Sequence, residues 1–181
     1  GVGLSLHVLM PALAPSATDA QHEALADAYK GAFMSNRTRV GTAASSPLYP
    51  GALECLHGLH SVPEILLGVA TGKSKRGLDK LLAAFDLAPL FVTQQVADFH
   101  PSKPHPAMIL AALEETGVDP SQAIMVGDTS FDMDMAASAG VRSVGVTWGY
   151  HGRDRLGAAT RTVDGFADLP SVLNEMWEER A

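Results

Sequence analysis

The apolar positions of the chain fall into short uninterrupted runs separated by stretches of helical period. Residues 65–70 and 123–126 are such runs, and together with residues 90–93 and 141–147 they predict strands. The run at 123–126 (AIMV) has no polar alternation, as expected of a parallel strand covered on both faces. Helical spacing recurs between the runs, at Leu25, Ala28, Tyr29 and Phe33 and again at Leu78, Leu81, Leu82 and Phe85. Pro106 is placed to open a helix that runs to about Thr116 and stops at Gly117. Further helices are predicted over 52–59, up to Gly140, and over 169–179. Thr18 and Gln21 have the spacing of a capping box, so a helix begins there and is expected to dissolve near Asn36. Residues 37–50, with Gly41, Pro47 and Pro50, read as a connection. Strands alternating with helices of this length imply parallel βαβ units, hence an α/β fold. A domain boundary is expected close to Ser46, with residues 1–46 helical and 47–181 forming the α/β core.

Composition narrows the class of partner. The chain of 181 residues is 46% hydrophobic and 18% charged, with room for one good core and a small appendage. Thirteen basic against twenty acidic side chains give a net charge of −7 without a basic cluster, which argues against a nucleic-acid partner. A small anionic substrate would then need a metal or a local positive site. The single Cys55 excludes a disulfide framework within the chain, and no apolar run has the length of a membrane span, so a cytoplasmic protein is expected. Gly1 is not an initiator methionine and GVGLSLHVLM has no signal-peptide pattern, so the sequence is expected to begin inside a longer chain.

Three segments at strand ends carry candidate chemistry. In AIMVGDTSFDMDMA the apolar run ends at Gly127, which is expected to let the backbone turn, and Asp128 follows at the strand's carboxyl end, where open α/β sheets bind ligands. Asp132 lies four residues on, so a helix begun by Thr129 would set both acids beside one crevice, and two hard oxygen donors suit Mg²⁺. Asp128 could instead be a simple helix cap. In ILLGVATGKS the strand ends at Thr71 and Gly72, whose hydroxyl and N–H groups could bind a phosphate oxygen. The segment imitates a P-loop but fails its spacing, because Gly68 and Gly72 enclose three residues where that cradle needs four. In HPSKPHPAMI, Pro101 and Pro104 restrain Lys103 just before a helix, within reach of the same crevice. His100, His105 and His151 are tempting as well, but with seven histidines in the chain only loop positions near the site are candidates.

In this order, ATGKS, SKPHP and GDTSFDMDMAASAG resemble the second, third and fourth motifs of the haloacid dehalogenase superfamily. The chain looks most like its phosphoglycolate-phosphatase-like hydrolases, with YPGALECL and VTWGYH as supporting details. The resemblance implies a Rossmann-like three-layer core with a parallel sheet, and makes residues 1–46 part of a helical cap. It also implies a Mg²⁺-dependent phosphatase acting on a small phosphorylated metabolite through an aspartyl-phosphate. By resemblance Thr71 hydrogen-bonds the transferring phosphoryl group and Lys103 pairs with that group and the nucleophile. Asp128 binds Mg²⁺, Asp132 supports the metal as ligand or from behind one, and Gly72 and Thr129 add backbone and hydroxyl contacts.

One part of the pattern is missing. The family's first motif, Asp-x-Asp-Gly-Thr after the first strand, supplies the nucleophile and the general acid and base. It is absent here, and Asp19 and Asp27, the aspartates before residue 65, fall in or beside the first helix. By resemblance GVGLSL lies inside the cap, and the missing portion is a strand, a turn and one or two helices, about 30–45 residues. That strand lies between those of the second and fourth motifs, so two unpaired edges are expected, at about 1–3 kcal/mol per buried unsatisfied group. Direct pairing of residues 65–70 with 123–126 would contradict this. The alternative from another class is a catalytically inactive module that binds a phosphorylated ligand or a partner. A phosphomutase or a P-loop nucleotidase fits the residues less well.

Overall fold

The structure, a computed structural model, describes residues 4–179. The first three residues of GVGLSL therefore lie outside the described residues. Helices α1 (Leu6–Leu13) and α2 (Asp19–Val40) pack against each other at the amino end. The expected capping box opens α2: Thr18 N–H donates to Gln21 Oε1 at 2.8 Å, and Gln21 N–H donates to Thr18 Oγ1 at 3.4 Å. Two expectations fail here. Helix α2 runs past Asn36 to Val40, and a short α3 (Thr42–Ser45) occupies part of the expected connection. Between Asn36 and Gly41 there is no glycine or proline, and Thr38 donates its hydroxyl to Met34 O at 3.0 Å, so this end of the helix has neither a breaker nor a competing partner. Helix α1 was not expected, since its eight residues are too few for a clear period.

The core follows in βα alternation. Helix α4 (Ala52–His60) precedes β1 (Leu67–Thr71), and α5 (Lys75–Ala84) and β2 (Phe91–Val96) come next. Helix α6 (Ala107–Thr116), β3 (Ile124–Gly127), α7 (Ser130–Ser138), β4 (Arg142–Val146), β5 (Arg161–Val163) and α8 (Leu169–Glu178) complete it. Strand β1 starts two residues later than expected, because Ile65 N–H closes a turn on Val62 O. Strand β2 runs on to Val96, beyond the apolar stretch that announced it, because Thr93 and Gln95 are buried polar residues of the strand.

Helices cover the sheet on both sides. Cys55 of α4 and Leu169, Leu173 and Met176 of α8 pack against Val144, Val146 and Val163. Leu78 and Leu82 of α5 continue that layer over Val96, Leu67 and Val69. Met108 and Ile109 of α6 join Met135, Ala136 and Ala139 of α7 on the opposite face. This is the expected three-layer α/β architecture.

Among the described residues every strand pairing is parallel, and the strands form two sheets, β1-β2 and β3-β4-β5. No ladder joins β1 to β3 among the described residues. Ala70 of β1 and Met125 of β3 nevertheless pack against the same α6–α7 cluster, so their unpaired edges lie beneath the same two helices. The expectation that residues 123–126 are wholly buried is not met: Val126 is 36% exposed, and Ile124 and Met125 are half-buried. Helices cover a strand's faces, but full burial also needs a neighbour at each edge.

Candidate active site

The segment after β3 is shaped by one buried carboxylate. Thr129 caps α7, and Asp132 closes the capping box by accepting Thr129 N–H at 3.0 Å and Thr129 Oγ1–H at 2.7 Å on its Oδ2. The cap is therefore Thr129 and not Asp128, which stands just outside the helix. Gly127 also differs from expectation. It does not lie in the left-handed region. It is needed because a Cβ there would sit 2.4 Å from Asp132 Cβ, so the side chain of Asp132 folds back over the end of β3.

The other oxygen of Asp132, Oδ1, accepts Lys103 Nζ at 2.6 Å, and the same ammonium donates to Ala70 O at 2.9 Å. Asp132 is 3% and Lys103 7% exposed. Two charges are tolerated at this depth because each has hydrogen bonds beyond the pair. Lys103 thus ties the end of β1 to the first turn of α7 across the two sheets, and one of its three N–H donors is left for a ligand. The peptide bond from Lys103 to Pro104 is cis.

Asp128 is held separately. Its Oδ2 accepts Tyr150 N–H at 2.9 Å, and its carbonyl accepts His151 N–H at 3.1 Å. A Cβ at Gly149 would lie 2.1 Å from Asp128 Cβ, so only glycine lets the loop after β4 come this close. His151 Nδ1 accepts Ser130 N–H at 2.9 Å. Burial, followed by the charge of Arg155, holds this imidazole below its usual range, with Asp128 and Asp132 opposing. The ring is neutral at physiological pH, as its acceptor role requires.

Thr71 ends β1 one residue after Ala70. Its Oγ1 accepts Lys73 N–H at 3.2 Å, which leaves the hydroxyl proton for another acceptor. Gly72 lines a cavity of about 530 Å³ between the amino-terminal helices and the loops after β1 and β2, with His7, His22, Lys30 and Asp98 also on its wall. Lys73 does not act as a P-loop lysine would: its Nζ lies 5.7 Å from the ring centre of Phe33 on α2.

The structure thus joins Lys103, Asp132 and Thr129 directly, sets Thr71 and Gly72 beside them at the end of β1, and fixes Asp128 on a separate clamp. Asp132 has both oxygens engaged, so Asp128 is the carboxylate with an oxygen to offer a cation. Among the described residues no group of three His, Cys, Asp or Glu side chains could hold a metal ion. One carboxylate still fits Mg²⁺, which keeps several waters and completes its shell with substrate phosphate oxygens. The residues missed from sequence are Gly149 and Tyr150, which act on Asp128 through close approach and a backbone N–H.

A family model for haloacid dehalogenase-like hydrolases matches residues 2–146. The chain belongs to this family. A probable phosphatase, IndB, of Dickeya dadantii is 38% identical over 144 residues, covering 77% of this chain and 62% of the relative. A phosphoglycolate phosphatase of Salmonella paratyphi A is 34% identical over 129 residues, covering 70% and 51%. The crystal structure of a predicted phosphoglycolate phosphatase from Haemophilus somnus superposes with a TM-score of 0.64 at 32% identity, over 69% of this chain and 56% of that one. The chain spans about half to three-fifths of the length of these curated relatives. No helix among the described residues is long and apolar enough to cross a membrane.

Proposed function

We propose that this haloacid dehalogenase-like chain is part of a cytoplasmic, Mg²⁺-dependent phosphatase of small phosphorylated metabolites, with phosphoglycolate the first substrate to try. The observation that carries the reading is Lys103, a buried cation with a spare donor, held between the end of β1 and the first turn of α7 where neither β1 nor β3 has its second neighbour. A phosphoryl group seated there meets the Lys103 ammonium, the Thr71 hydroxyl and the Gly72 N–H, which together offset the charge that builds on its oxygens.

The nucleophile in this reading is an aspartate on a strand between β1 and β3, contributed by a segment outside these residues. Asp19 and Asp27 stand on α2 and do not serve. The phosphoryl group leaves its ester oxygen, which departs with a proton as the alcohol, for that carboxylate; water then gives up a proton and attacks phosphorus, breaking the aspartyl P–O bond to release inorganic phosphate and the free carboxylate. Asp128 would hold the Mg²⁺, whose charge would neutralise the phosphoryl oxygens. Asp132 acts from behind, by orienting Lys103. Residues 1–46 act as part of a cap over the 530 Å³ cavity, excluding water and selecting the substrate.

Asp128→Ala in the full-length protein tests this. Mg²⁺-dependent hydrolysis of phosphoglycolate and related monoesters should fall by about 100-fold or more. Near-normal turnover would refute the assignment. A full-length protein that binds phosphorylated ligands without hydrolysing any would favour the non-catalytic module instead.

A further inference from the structure

The loop after β4 is stitched to the Asp128 turn by two adjacent residues with different exposure. Tyr150 donates its backbone N–H to Asp128 Oδ2 at 2.9 Å, yet its own side chain is 66% exposed and does nothing to fix that N–H. His151 is buried at 5% exposure and engaged at both ends. Its N–H donates to Asp128 O at 3.1 Å, its Nδ1 accepts the first free N–H of α7, that of Ser130, at 2.9 Å, and its ring lies against Phe131 at 5.7 Å between centres. The N–H that orients the carboxylate is therefore aimed by the neighbouring imidazole.

We infer that His151 is a positioning residue for the cation site: it locks the loop to the first turn of α7 so that Tyr150 N–H holds one oxygen of Asp128 and the other oxygen is the one that would hold Mg²⁺. This rests on the phosphatase reading above. The chemistry asks for an acceptor at the position of Nδ1 on a flat, largely apolar body that fills the space beside Phe131. Without that acceptor, Ser130 N–H loses its partner, the loop is free to turn, and the carboxylate loses the outer hydrogen bond that sets its orientation. Partners of this kind, behind a metal ligand, typically govern affinity by about 10–100-fold.

The test compares His151→Leu with His151→Asn in the full-length protein, by calorimetric titration with Mg²⁺ and by hydrolysis of phosphoglycolate across a Mg²⁺ series. His151→Leu should raise both the Mg²⁺ dissociation constant and the Mg²⁺ needed for half-maximal rate by about 10-fold or more, with excess Mg²⁺ recovering lost rate. His151→Asn, whose Oδ1 falls where Nδ1 was, should return both within about threefold of the parent. If the leucine variant does not fold, His151→Gln carries the same expectation, since its amide oxygen falls at the reach of Nε2. His151→Leu or His151→Gln binding Mg²⁺ with parental affinity, whatever its stability, overturns the role of His151 alone. A parent protein with neither Mg²⁺ binding nor Mg²⁺-stimulated hydrolysis overturns the phosphatase reading itself.

Discussion

Lys103 Nζ lies 2.6 Å from Asp132 Oδ1, and the pair is unequal in what each partner has left when the other is removed. Asp132 keeps the N–H and hydroxyl of Thr129, whereas Lys103 keeps only the Ala70 carbonyl. Asp132→Ala should therefore be the more damaging change, at about 3–5 kcal/mol, because it strands a buried cation. Lys103→Met should cost less, about 1–3 kcal/mol, since its apolar stem is retained and the carboxylate stays hydrogen-bonded. Urea unfolding of both variants checks the order, and the reverse order would mean that Thr129 does not support Asp132 as described.

Gly149 gives a sharper local test. An added Cβ there would overlap Asp128 Cβ at 2.1 Å, and neither the clamped loop nor the strand end can yield without moving the carboxylate. Gly149→Ala should lower Mg²⁺-dependent hydrolysis by about 10-fold or more. Gly58→Ala is the matched control: it lies inside α4 with nothing within 4 Å of the new methyl, and should stabilise the fold by about 0.5–1 kcal/mol. Equal activities in the two variants would count against the close approach at Asp128.

Beneath α6, Glu115 accepts the hydroxyl of Thr93, Gln95 Nε2 donates to Thr93 Oγ1 at 2.8 Å, and His100 Nε2 lies 2.7 Å from Gln95 Oε1. Hydrogen bonds from Thr93 and Gln95 hold the Glu115 carboxyl below its ordinary value of 4.5. A carboxyl lowered in the folded state favours folding above its unfolded value, and that stability is lost as pH falls from about 4.5 through the folded one. Glu115→Gln should lower stability near pH 7 and converge with the parent as pH falls below about 4.5, so that its acid slope is flatter, as followed by urea midpoints across pH. An unaltered acid slope would remove Glu115 from the account.

Much of this was legible in the chain, for identifiable reasons. The capping box of Thr18 and Gln21, the leucines of α5 and the proline before α6 are local signals, and the fold obeys them. The stations of Thr71 and Asp128 followed from apolar runs that stop at a polar residue, and that of Lys103 from the prolines that flank it. Asp132 was harder to read, because a spacing of four puts two acids on one face only if both are in the helix. Asp128 is outside it, and Asp132 turns back to Thr129 and Lys103. Thr93 and Gln95 broke the apolar pattern of β2, and their burial depends on Glu115 and His100, which lie outside the strand. His151 was one of seven histidines, and only its tertiary contact with Ser130 distinguishes it. The half-exposed Val126 marks the unpaired edge of β3, which no local pattern could announce.

The central claim is that residues 4–179 frame a phosphoryl site whose nucleophile arrives on a strand between β1 and β3. Acid-quenching the full-length protein during turnover of phosphoglycolate with Mg²⁺, followed by mass mapping of the phosphoryl adduct, tests it most directly. The account predicts one phosphoryl group on an aspartate outside residues 1–181, and no turnover by residues 1–181 alone. A phosphoryl group on a side chain within these residues, or hydrolysis by them unaided, would contradict it.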